Sequence, residues 1–76
     1  MKEALTTIIN SLVTDTEAVS INEIEGEKSV IFEVKVAEGD MGKVIGREGR
    51  IAKSIRTIMQ SLAAKENKKV IVEFVD

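Results

Sequence analysis

Residues 41–58 read MGKVIGREGRIAKSIRTI, and the nine residues Gly42-Lys43-Val44-Ile45-Gly46-Arg47-Glu48-Gly49-Arg50 decide how the chain is to be folded. Three of the five glycines and three of the eleven basic side chains fall in this run. Upstream of Gly46, Met41, Val44 and Ile45 recur at i, i+3 and i+4, and Asp40 is placed to act as N-cap, so the spacing predicts a short helix of about six residues that stops at Gly46. Gly42, one turn earlier, is expected to permit close helix packing. Downstream, Ile51, Ala52, Ile55, Ile58, Met59 and Leu62 form a wide apolar stripe with Arg50, Lys53, Arg56 and Thr57 mostly off it. That pattern predicts a second helix from Gly49 to about Lys65. A side chain at Gly46 or Gly49 would hold a ligand away from the backbone and could force a strained φ. The N–H groups and positive dipole end of the second helix would suit phosphate oxygens. Without a ligand, the same glycines would simply form a tight interhelical turn.

Working outward, Leu5, Ile8, Ile9 and Leu12 repeat at helical period, giving a first helix over roughly residues 2–14. Residues 18–24 read as a short strand in which Val19 and Ile21 alternate before the pattern slips at Ile24. A turn at Gly26 leads to residues 29–36, where Val30, Phe32, Val34 and Val36 share one face of an antiparallel partner strand. After the polar segment Lys65–Lys69, Val70, Val72 and Phe74 alternate in a final strand. The helical crossover lets this strand run parallel to the earlier one. The predicted class is α+β, a three-stranded mixed sheet packed against three helices in the order helix, strand, strand, helix, helix, strand.

Seventy-six residues make one domain, with most apolar side chains needed for its core. The net charge of −2 conceals a strong asymmetry. Residues 1–40 carry three basic and nine acidic side chains, whereas residues 41–69 carry eight basic and two acidic ones. A local positive field of this kind draws an anionic partner, although a solvated helix face would show the same cations. The chain has neither Cys nor His, which removes disulfides, thiolate and histidine metal sites and histidine-based triads; no metal and no cofactor are expected. Its thirteen carboxylates show no paired arrangement, and an enzyme is not expected. Lys2, Glu3, Thr6, Thr7 and Asn10 interrupt the N-terminal apolar residues, which argues against a signal peptide or membrane span and for a cytoplasmic location.

Two phosphate-binding motifs fail on spacing. A Walker loop would need a glycine at position 37 and a Ser or Thr where Val44 stands, and a dinucleotide fingerprint would need different glycine intervals directly after a strand. The element Val44-Ile45-Gly46-Arg47-Glu48-Gly49 instead resembles the V-I-G-x-x-G signature of KH domains, in the type II element order, over essentially residues 1–76. Size and the run from Met41 to Ile58 are most similar to the KhpA family of small single-KH bacterial proteins. The resemblance implies that Gly46, Arg47, Glu48 and Gly49 lie against an RNA backbone, with Lys43, Arg50 and Lys53 on the rim and an aliphatic floor of Val44, Ile45 and Ile55. It also implies a post-transcriptional regulator or RNA chaperone linked to cell shape. As partners it implies single-stranded RNA, a second copy in a homodimer, or a KhpB-type KH protein in a heterodimer. In the alternative reading the chain is chiefly a protein-interaction module that dimerises through the wide apolar helix stripe. The family commonly has a branched aliphatic three residues after the second glycine, where this chain has Ala52, so a shallower or rotated floor is expected; Glu48 inside the clamp predicts weak, sequence-tolerant binding. With Phe32 and Phe74 as the only aromatics, an aromatic stacking platform is not expected.

Overall fold

A computed structural model describes residues 1–75. Three helices, α1 (Lys2–Leu12), α2 (Met41–Ile45) and α3 (Arg50–Ala64), combine with three strands, β1 (Ser20–Glu25), β2 (Ser29–Lys35) and β3 (Lys69–Phe74), in the predicted order. The sheet runs β1-β2-β3, with β1 antiparallel and β3 parallel to β2. Several boundaries differ from the sequence reading. The first helix stops at Leu12, because Thr16–Ala18 forms a separate 3₁₀ turn, and β1 starts two residues later than predicted.

One face of the sheet carries the core. Val30, Phe32 and Val34 of β2 lie beside Val70, Val72 and Phe74 of β3 in register, and the helices close over them with Leu5, Ile9, Val44, Ile55 and Met59. Phe32 is wholly buried at the middle of the central strand. The stripe of α3 is largely spent on this packing. Ala52, Ile55, Met59 and Ala63 are buried, Ile51 and Leu62 are partly covered, and Ile58 alone stays open at 47% exposure. The wide apolar stripe of this helix is thus mostly committed to the core, with Ile58 open and Ile51 and Leu62 partly exposed. Ala52, the departure from the family pattern, sits 2% exposed, where a small side chain lets α3 lie close to the core.

Asp40 does not cap α2 with its side chain. It is buried and turns toward the segment after α1, where its Oδ2 accepts the Asp15 N–H at 3.0 Å and its Oδ1 meets Lys43 Nζ at 3.1 Å. Lys43 Nζ also donates to Thr14 Oγ1. One carboxylate thus fastens the end of α1 to the start of α2. At the far end of α3, Asn67 takes a left-handed conformation (φ 56°), and the N–H groups of Asn67 and Lys68 reach back to the carbonyls of Ala64 and Ala63. This is a Schellman closure built on Asn rather than Gly.

Replacing Phe32 by Ala should cost about 3–5 kcal/mol, comparable with the whole stability of so small a domain, and denaturant titration should find the variant largely unfolded. The Asp15 N–H, aided by the Thr14 N–H and Lys43 against the opposing effect of desolvation, holds the Asp40 carboxyl below its ordinary pKa. Its stabilising contribution is therefore full above the pKa of the unfolded chain and is lost as the pH falls through the lower folded value. Thermal melts across the acid range should show a flatter acid limb for Asp40→Asn than for the parent protein.

Candidate nucleic-acid interface

The run that connects α2 to α3 makes an abrupt bend. Gly46 adopts φ 77° and ψ 177°, a region open essentially only to glycine, and Gly49 adopts the left-handed conformation with φ 72°. Between them Glu48 is also left-handed, at φ 56°, without being glycine. The two glycines have different reasons to be there. A Cβ on Gly46 would stand 2.6 Å from Cγ1 of Ile51, so the first turn of α3 packs directly on a bare backbone. A Cβ on Gly49 would meet nothing within 4 Å, and only its φ calls for glycine. Gly42 likewise has open space at its Cβ position and needs no positive φ, so the close helix packing expected there is absent.

The bend lies on the surface, with Arg47 and Glu48 exposed and both glycines half-buried. Its amides are only partly committed. The Gly46 N–H donates to the Gly42 carbonyl at 2.9 Å and the Gly49 N–H to the Gly46 carbonyl at 3.2 Å, while the Arg50 N–H bonds the Arg47 carbonyl. The N–H groups of Arg47 and Glu48 find no acceptor among the described residues. Two adjacent donors at an exposed bend, next to the N-terminus of a fifteen-residue helix, can donate to an anionic oxygen without displacing an internal bond.

The surrounding cations divide into two groups. Four are occupied: Lys43 by Asp40 and Thr14, Arg50 by Glu48 at 3.6 Å, Lys68 by Glu25, and Arg56 by the Val72 carbonyl at 3.1 Å with its guanidinium 5.5 Å from the Phe74 ring centre. Arg47, Lys53, Lys65 and Lys69 form no ion pair among the described residues, and of these Arg47 and Lys53 are nearest the bend in sequence. Arg56 is thus a clamp between α3 and β3 rather than a steering charge. Lys43 reaches an incoming anion only by loosening its hold on Asp40.

The predicted aliphatic floor is also narrower than expected. Val44 is wholly buried and Ile55 is 2% exposed, because both point into the core beneath the bend. Ile45 is half-buried, and so is Ile51, the first residue of the apolar stripe on α3. The open apolar surface beside the bend therefore belongs to Ile45 and Ile51.

An exposed Gly-x-x-Gly bend joining the second and third helices of an α-β-β-α-α-β domain defines a KH domain of type II. The chain belongs to the KhpA/KhpB KH-domain family, whose model matches residues 2–74. It is similar to RNA-binding protein KhpA of Clostridium acetobutylicum, 55% identical over 75 residues that cover 99% of this chain and 100% of that protein. Its namesake in Clostridium perfringens is 56% identical over 75 residues with the same coverage, and that of Borreliella burgdorferi is 49% identical over 74 residues, covering 97% of this chain and 90% of that protein. No solved structure matches the chain.

The contrast between the glycines can be measured by denaturant unfolding. Gly49→Ala should cost about 1–2 kcal/mol, the left-handed penalty alone. Gly46→Ala should cost roughly 3 kcal/mol or more, because the forbidden conformation and the collision with Ile51 add.

Proposed function

We propose that this protein is a non-catalytic single-stranded RNA-binding module that holds the sugar-phosphate backbone at the bend between α2 and α3. The observation that carries the reading is the pair of unengaged amides of Arg47 and Glu48 on an exposed surface with Arg47 and Lys53 unpaired beside it. Relatives that bear the name RNA-binding protein over their full length support it. The amides donate to phosphate oxygens, Arg47 and Lys53 supply positive charge not tied up in an ion pair, and Arg50 joins them when Glu48 releases it. Bases rest against Ile45 and Ile51 through apolar contact and edge hydrogen bonds rather than through aromatic stacking. The carboxylate of Glu48 sits among these groups and opposes part of their attraction, which keeps affinity modest and sequence preference weak. In this role the protein acts on transcripts in the cytoplasm, as a regulator or RNA chaperone.

The test is fluorescence anisotropy with a short oligouridylate across a salt series. Three phosphate contacts give a slope of about −2 in log affinity against log salt, at ~0.7 per contact on single strands. Replacing Arg47 and Glu48 together by Asp should abolish binding and leave the circular dichroism spectrum unchanged; retained affinity would falsify the assignment of the bend. Glu48→Gln should bind a few-fold more tightly than the parent protein, because it frees Arg50 and removes a negative charge from the clamp.

A further inference from the structure

β1 lies at one margin of the sheet, and its pairing with β2 fixes which of its peptide groups face outward. The Gly26 N–H donates to the Ser29 carbonyl at 2.7 Å across a two-residue turn. Stepping by two along the register from that pair, Ile24, Asn22 and Ser20 turn their N–H and C=O groups toward β2. Ile21, Glu23 and Glu25 therefore turn theirs away from the sheet. The far side of β2 agrees, since the carbonyls of Lys28 and Val34, which share this alternation, accept the N–H groups of Lys69 and Val75. The outward groups of Ile21, Glu23 and Glu25 have no partner among the described residues.

The charge along this edge has one sign. Residues 15–27 carry five acidic side chains and no basic one. Glu23 and Glu25 stand opposite Phe32 and Val30, on the helix side of the sheet but beyond the cover of the helices, and both are exposed. Glu25 meets Lys68, whereas Glu23 forms no ion pair among the described residues. On the other face Ile24, 48% exposed, begins a row that continues through Ile31 to Ile71. Carboxylates at an edge admit some strands and turn away others. They repel RNA, and a second β1 brought antiparallel about Glu23 or Ile24 would set carboxylate against carboxylate. A cationic strand is drawn in.

We propose that the outer edge of β1 takes up an extended basic segment of another polypeptide as a fourth, antiparallel strand, with Lys or Arg opposite Glu23 and Glu25 and a β-branched residue opposite Ile24. Read from its N-terminus, such a segment is cationic, β-branched, cationic, unrestricted, apolar, the last residue lying beside Ile21. Its first, third and fifth residues exchange backbone hydrogen bonds with Glu25, Glu23 and Ile21, and its second extends the isoleucine row by one side chain. The proposal does not depend on the RNA-binding reading. β1 packs chiefly on β2 and α1 whereas the bend belongs to α2 and α3, so both sites can be filled together. A few backbone bonds and two exposed ion pairs, set against the ordering of a flexible peptide, give a dissociation constant on the order of 0.1–1 mM.

Amide NMR on the intact, RNA-free protein tests it, with a capped peptide reading lysine-valine-arginine-threonine-valine as the probe. The signals of Ile21, Glu23 and Glu25 should shift on titration to about 5 mM peptide while those of Arg47 and Glu48 stay still. N-methylation of the arginine, whose N–H faces β1, should weaken binding about tenfold or more; N-methylation of the threonine, whose N–H faces solvent, should leave it within about threefold. Glu23→Lys should weaken binding about tenfold and should favour a peptide with glutamate in place of the arginine. Four results overturn the proposal: no shift at β1, equal binding of the two N-methylated peptides, which would reduce the contact to diffuse charge attraction, shifts centred on α3, or β1 signals that move with protein concentration before any peptide is added.

Discussion

The contact between Ile51 and the backbone of Gly46 is the joint on which the functional end of this domain turns. Because nothing projects from Gly46, the first turn of α3 can press against the residue that ends α2, and the chain passes from α2 to α3 through the four residues Gly46 to Gly49 without a longer loop. The short link has two effects at once. It keeps Val44 and Ile55 inside the core, so that the bend rests on well-packed material, and it leaves the next two peptide groups with N–H bonds that cannot reach an internal acceptor. The donors at the surface are thus a by-product of tight packing beneath them. A looser loop would have let those amides fold back on the chain or move freely in water.

Electrostatics refines the same end of the molecule. The excess of positive charge between residues 41 and 69 is large by count, but half of those side chains are held by partners within the fold. Asp40 draws Lys43 toward the α1 end, and Glu48 holds Arg50 over the bend. The field that an approaching anion meets is set by Arg47 and Lys53 first. The paired cations form a second rank that responds only when their own bonds yield, and the exposed Arg50–Glu48 contact yields far more readily than the Lys43–Asp40 pair, whose carboxylate is buried.

Periodicity made the architecture legible, because long apolar repeats in α1, β2 and α3 and strict alternation in β3 leave little freedom in the order of elements. The Gly-x-x-Gly spacing located the bend. What escaped the sequence has a common cause, namely that side chains were assigned to the nearest local task when a distant one won. Asp40 reads as a cap from its position before a helix, yet its carboxylate finds better donors in the Asp15 and Thr14 amides, which no local pattern reveals. The family resemblance assigns Val44 and Ile55 to an aliphatic floor; both are buried in the core, and the partly exposed aliphatic side chains near the bend are Ile45 and Ile51. The slip at Ile24 read as the end of a strand; β1 in fact continues, and the residue lies on the face that period-two logic reserves for polar groups. Gly42 illustrates the opposite error, a glycine given a packing role where the space beside it is empty.

The clamp formed by Arg56 reaches beyond the pairing of α3 with β3. The Val72 carbonyl it engages points outward, away from β2, since the N–H groups of Lys69 and Val75 are the ones turned toward that neighbour. A guanidinium parked on that carbonyl, with the Phe74 ring beneath it, obstructs any extended segment that would lengthen the sheet on this side. On the opposite margin no side chain among the described residues hydrogen-bonds a backbone group of β1. Growth of the sheet by strand addition is therefore directional in this domain, closed where the helical layer overhangs the margin and open along the acidic hairpin.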